Sequence, residues 1–143
     1  MALGRRIAFD YGDVRIGVAI CDRDGILATP LVTLKTGSPT LYEEIAEIIS
    51  EYEPVQFFIG APKHLSGNQS QSGEKSLSFA NSISEKFNIP FVEVDERLST
   101  VSATRSMREA GKSAKESRSV IDQAAAVAIL EQGLAILKNK GEL

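Results

Sequence analysis

The chain has 143 residues, a formal net charge of −3, 43% hydrophobic and 24% charged residues. Those figures give room for one packed globular domain, and exclude a disordered or fibrous chain and a protein that is a polycation as a whole. One cysteine (Cys21) and one histidine (His64) exclude an internal disulfide and argue against zinc. No apolar run reaches the length of a membrane span or follows Arg5-Arg6 as a signal sequence would, so a cytoplasmic protein without a membrane partner is expected.

Arg5 to Asp10 predicts a first strand and Ile16 to Cys21 a second. Asp22-Arg23-Asp24-Gly25 is turn chemistry, and a third extended segment runs from Ile26 to near Leu34. Three strands joined by short turns predict an antiparallel meander. Leu41, Ile45, Ile48, Ile49 and Tyr52 then fall on one helical face, with Thr40 as cap and Pro54 as stop. Val55 to Ile59 reads as a strand covered on both faces and ended by Gly60. Residues 61–73 read as a loop, and Leu77, Phe79, Ala80, Ile83 and Phe87 as a second helix. Phe91 to Glu96 is a fifth strand. A short helix from about Ser99 to Ala110, a loose basic stretch at 111–119 and a last helix from about Val120 to Lys138 complete the chain. Helices alternating with the later strands imply parallel neighbours and right-handed crossovers. The expected fold class is α/β: one domain over 1–143, with a mixed five-stranded sheet whose three N-terminal strands are antiparallel, and flanking helices.

Asp10 closes the apolar run Ile7-Ala8-Phe9. A carboxylate at the end of a buried strand is costly unless a cation, a metal or backbone donors compensate it. In α/β sheets function gathers at the carboxyl ends of parallel strands, and the fifth strand ends there in a second acid, Glu96. Period two sets Glu96 on the face of Val92 and Val94, and Asp95 on the face of Phe91 and Glu93. Asp122 is the third candidate, since Ala125, Ala126 and Ile129 share its helical stripe. The plainer alternatives are an ion pair of Glu96 with Arg97 or Arg105, and a helix N-terminal acid at Asp122. Three carboxylates in one site repel one another, and a divalent cation resolves the repulsion. Oxygen-only ligands select Mg²⁺ or Mn²⁺, and ions of this kind, singly or about 3.5–4 Å apart in pairs, support phosphodiester hydrolysis. Between Glu96 and Asp122 lie Arg97, Arg105, Arg108, Lys112, Lys115 and Arg118 against only Glu109 and Glu116. This local positive excess is what a polyanionic substrate beside the acids requires, although a solvated helix face is the plain alternative.

Several of these residues form a pattern. Phe9-Asp10-Tyr11-Gly12 with Ile16-Gly17-Val18-Ala19, Gly60-Ala61-Pro62 with Gly67, Asp95-Glu96-Arg97-Leu98-Ser99-Thr100, and Asp122 with Ala125-Ala126 and Ile129-Leu130 together resemble the YqgF family, the RuvC-like proteins of bacteria. Ala61 stands where that family usually has Leu. Ser119 and Val120 occupy places where it commonly has a basic residue, with Arg118 one step further back. The resemblance implies a ribonuclease H-like fold, Asp10, Glu96 and Asp122 as catalytic and metal-binding acids, and Mg²⁺ or Mn²⁺ as cofactor. It also implies a nuclease maturing the 5′ end of pre-16S ribosomal RNA, or, in an older proposal, resolving Holliday junctions in branched DNA. Structured RNA is then the expected partner, and the oligomeric state is a monomer or a weak homodimer.

Two other classes compete. Asp10-x-Gly12 with Gly17 also resembles the first phosphate loop of actin-like ATPases, but the chain has neither the length nor a second such loop. A non-catalytic nucleic-acid or ribosome-assembly binding domain could keep the acids for a structural cation. His64, Lys63 and Arg15 are read as loop residues, with substrate contact as the alternative. Ser99 and Thr100 are read as a helix cap, and Cys21 as core.

Overall fold

The structure, a computed structural model, describes residues 4–61, 71–95 and 115–141, and at 61, 71, 72 and 115–122 it describes the backbone alone. Five strands form one mixed sheet: β1 (Arg6–Tyr11), β2 (Arg15–Cys21), β3 (Ala28–Lys35), β4 (Gln56–Ala61) and β5 (Phe91–Asp95). Three helices complete the described elements: α1 (Leu41–Tyr52), α2 (Gln71–Phe87) and α3 (Lys115–Asn139). The sheet order is β3-β2-β1-β4-β5. The β1–β2 and β2–β3 pairs are antiparallel, and the β1–β4 and β4–β5 pairs parallel. The expected meander and the expected parallel half therefore meet at β1, the middle strand.

The two faces of the sheet are packed differently, and strand alternation explains why. Ile7, Phe9, Ile16, Val18, Phe57 and Ile59 point to one side, into a core shared with Leu41 and Ile45 of α1 and Phe79 and Ile83 of α2. Phe9 meets the rings of Phe57 and Phe79 edge-on, at centroid distances of 5.4 and 5.5 Å. The other side carries Ala8, Ala19, Cys21, Phe58 and Val94 beneath Ala126, Ile129, Leu130 and Leu134 of α3. Small residues on both partners bring α3 close to the strands. At Gly133 the approach leaves no room for a side chain: a Cβ would lie 2.6 Å from Cδ1 of Phe58.

Several boundaries differ from the sequence expectation. Ile26 and Leu27 belong to the β2–β3 turn, not to β3, and are exposed. Asp22 Oδ1 accepts the Ile26 N–H at 2.7 Å, so the aspartate side chain organises that turn and the strand starts later. Gly60 lies inside β4, paired with Val94, instead of ending the strand. Helix α2 starts at Gln71, inside the expected loop, and α3 starts at Lys115, so residues 115–119 of the stretch expected to be loose are helical. Thr40 precedes α1 but caps no helix N–H. Its hydroxyl instead donates to Glu44 at 2.8 Å, as does that of Ser38. The helix expected at about 99–110 lies outside the described residues, and so does most of the 61–73 loop, with Lys63 and His64. Among the described residues no helix is long and apolar enough to cross a membrane.

Candidate functional site

Asp10 is 1% exposed and sits near the carboxyl end of the central strand. Alternation places it on the side of Ala8, which packs under α3, while Phe9 and Tyr11 face the opposite core. Its registered neighbours on both sides are glycines: Gly17 of β2 and, one step past the Phe9–Ile59 pair, Gly60 of β4. Gly60 in turn pairs with Val94 of β5. On this face the row therefore runs Thr33, Gly17, Asp10, Gly60, Val94. A glycine inside a strand weakens it and usually marks a place where another group must come close. Two of them mean that the neighbouring positions of the row carry no side chain beside Asp10.

Val92 and Val94 of β5 pack with the α3 core on the same face as Asp10. Glu96, the second candidate acid, lies outside the described residues. Asp122 lies on the α3 backbone one turn before Ala125 and Ala126, both fully buried, and its side chain is outside the described residues. Its neighbour Gln123 donates from Nε2 to Thr33 Oγ1 at 3.0 Å. That bond anchors the first half of α3 over the glycine row, because Thr33 is the β3 member of the row.

Of the basic residues, Lys115 and Arg118 fall on the opening turns of α3, with side chains outside the described residues. Arg97, Arg105, Arg108 and Lys112 lie outside the described residues entirely. Gly12 has a structural reason that needs no phosphate: a Cβ there would lie 2.7 Å from the backbone oxygen of Arg15, and its own carbonyl accepts a 2.7 Å bond from Thr36 Oγ1. The glycine thus closes the β1–β2 turn, which weakens the phosphate-loop alternative. Cys21 is core as expected. Burial pushes its thiol pKa up, partly offset by the Arg6 N–H, which donates to Sγ at 3.2 Å. Sequence reasoning gave no site role to Thr33 or Gln123, and named Gly17 and Gly60 without placing them beside Asp10. The readable signal was a glycine within each of two otherwise apolar strands, 16–20 and 57–60.

Comparison with known proteins identifies the family and the fold. The family model RuvX, described as Holliday junction resolvase, matches residues 4–136. A Streptomyces avermitilis protein named "Putative pre-16S rRNA nuclease" is 43% identical over 144 residues, covering 99% of this chain and 92% of its own. Relatives with the same name from Cutibacterium acnes and Rhodococcus jostii are 46% and 48% identical, over 92% and 90% of this chain and 82% and 75% of theirs. Among solved structures, Thermus thermophilus RuvC in complex with a Holliday junction substrate superposes with a TM-score of 0.63 at 15% identity, covering 96% of this chain and 97% of the other. A second Thermus thermophilus RuvC structure gives 0.54. The fold is thus the ribonuclease H-like fold of RuvC, and the chain belongs to the RuvX (YqgF) family.

Proposed function

We propose that this protein is a divalent-metal-dependent nuclease that hydrolyses phosphodiester bonds in nucleic acid, processing the 5′ end of pre-16S ribosomal RNA. The observation that carries the proposal is the row Gly17–Asp10–Gly60, which holds a buried carboxylate on the face that β5 and the first half of α3 share. The names of the family's members support the substrate.

Asp10, Glu96 and Asp122 are the proposed ligands of Mg²⁺ or Mn²⁺. The fit rests on chemistry and place: an all-oxygen donor set suits a hard cation, and the glycines put no side chain beside Asp10 in the sheet row. When bound, the ion supplies charge stabilisation at the scissile phosphate and lowers the pKa of water. The chain's own part is positional. β1 fixes Asp10 by its ladders to strands on both sides, and the side chain is buried. The segment from Arg97 to Arg118, ending on α3, grips the phosphates of the strand through its cations. Water adds to phosphorus, the bond to the leaving ribose oxygen breaks, and a proton passes to that oxygen. Residues 1–143 act as one ribonuclease H-like domain in this reading.

The alternative substrate is branched DNA, favoured by the description of the family model and by the likeness to junction-bound RuvC. Purified protein with Mn²⁺ is tested on a pre-16S 5′ leader RNA and on a four-way DNA junction, beside Asp10→Asn and Glu96→Gln. Cleavage of the RNA by wild type and loss in both variants is expected. Equal background activity in wild type and Asp10→Asn would remove the nuclease assignment. Cleavage of the junction alone, by a dimer in sedimentation, would move the substrate to DNA.

A further inference from the structure

A cleft of about 670 Å³ opens on the other face of the sheet, between α1 and α2. Its floor is Tyr11 stacked on Phe79, with ring centroids 4.9 Å apart and planes tilted by 33°. One wall carries Tyr42, 38% exposed, with Nζ of Lys86 lying 5.8 Å from its ring centroid. Lys75 stands on the rim, its Nζ donating to Asp13 Oδ1 at 3.2 Å, and Ser78 and Ser82 line the α2 side. Among the described residues the lining carries Lys75 and Lys86 against Glu43, with Asp13 offsetting Lys75, so the cleft is close to neutral in a chain of net charge −3.

This combination has a chemical reading. Aromatic faces that are partly open to solvent, with a lysine and serines beside them, form a stacking platform with backbone contacts, the pattern that takes single-stranded nucleic acid. The volume falls in the range of small-ligand sites and suits one or two nucleotides. Position adds to this. Tyr11 follows Asp10 directly, so the two side chains leave adjacent residues of one strand toward opposite faces, with Cα atoms about 3.8 Å apart.

We infer that the α1–α2 cleft is a second binding site, which takes one or two unpaired nucleotides flanking the cut, stacked on Tyr11 and Tyr42 with a phosphate on Lys86. The inference rests on the nuclease reading for its biological sense, but its test does not. Binding of fluorescein-labelled single-stranded rU and dT decamers to the full chain is followed by anisotropy in EDTA, where no cutting occurs. The chain has no tryptophan, so tyrosine emission reports stacking directly.

Tyr42→Ser and Lys86→Gln, both at exposed positions, are compared with Lys138→Gln on the exposed side of α3. Each cleft variant is expected to weaken single-strand binding about 10-fold. Lys86→Gln should also lower the slope of log affinity against log salt by about 0.7, and wild-type tyrosine emission should fall on binding. Loss in the rU arm alone assigns the site to RNA, and loss in both arms to any single strand. Unchanged affinity and slope in both cleft variants, with folding retained, would overturn the site. So would quenching without loss, or a preference for an apolar helical peptide over either decamer. Asp10→Asn should keep the single-strand binding, so failure of the cleft and failure of the cutting assignment give different results.

Discussion

Gly133→Ala is the most direct test of how α3 is seated. Helix propensity alone favours alanine over glycine by about 1 kcal/mol in a helix interior. The structure opposes this. A Cβ at 133 would stand 2.6 Å from Cδ1 of Phe58 and 2.8 Å from both Cε1 and Cγ, whereas carbon atoms pack at about 3.5–4.0 Å. An overlap of roughly 1 Å must be relieved. Phe58 is fully buried on β4, with β1 on one side and β5 on the other, so its ring has little freedom to move. Overpacking of this kind costs about 1–3 kcal/mol. Packing therefore wins, and Gly133→Ala should destabilise by about 1 kcal/mol net, lowering Tm by about 3–5 °C. Urea and thermal unfolding followed by far-UV circular dichroism measure it. Phe58→Leu removes the ring atoms that collide, so in that background the same alanine should turn neutral or stabilising, a coupling of about 1–2 kcal/mol. Stabilisation by Gly133→Ala in the wild-type background would show that α3 sits further from the sheet than described.

Three further perturbations probe the site and its surroundings. Gly60→Ala adds a methyl between Asp10 and Val94 on the α3 face, and metal-dependent cleavage should fall at least 10-fold with Tm nearly unchanged; full activity would mean that the row leaves no space that the chemistry uses. Gln123→Leu breaks the 3.0 Å bond to Thr33 and should cost about 1 kcal/mol in urea unfolding, with hydrogen exchange rising in the first half of α3 before its second half; uniform protection along α3 would contradict the anchoring role. The hydroxyls of Thr40 and Ser38 hold the Glu44 carboxyl below the usual carboxylate range. A lowered folded-state pKa gives stability that is present above the unfolded value and lost as pH falls through the folded one. The stability difference between wild type and Glu44→Gln should therefore be present at neutral pH and shrink below the ordinary carboxylate pKa, and a difference independent of pH would refute it.

What could be read from the sequence divides along physical lines. The strands β1, β2 and β4 and the helix α1 were legible because apolar period, turn chemistry and Pro54 all pointed the same way. Starts of elements were less so. Ile26 and Leu27 look like strand residues, but the side chain of Asp22 takes their N–H groups into a turn. Gly60 looks like a terminator, yet its backbone keeps the ladder to Val94. Thr40 looks like a cap, but Glu44 competes for its hydroxyl. At the candidate site, the burial of Asp10 and the face of Val92 and Val94 followed from alternation alone. The glycine row did not, because registering Gly17, Asp10 and Gly60 requires knowing which strands pair. The cleft between α1 and α2 was also out of reach, since it joins Tyr11, Tyr42 and Lys86 across long sequence separations.

Asp10 sits on the one strand with two strands on either side. Any displacement of its carboxylate by more than a rotamer change means breaking ladders to β2 and β4 together, which amounts to unfolding the sheet. If Asp10 is a metal ligand as proposed, it is the fixed jaw of the site. Among the described strands β5 pairs with β4 alone, so adjustment around the proposed site falls to that edge. Ligands that tune the proposed activity would act by shifting β5, and resistance to them would arise there and not at the aspartate.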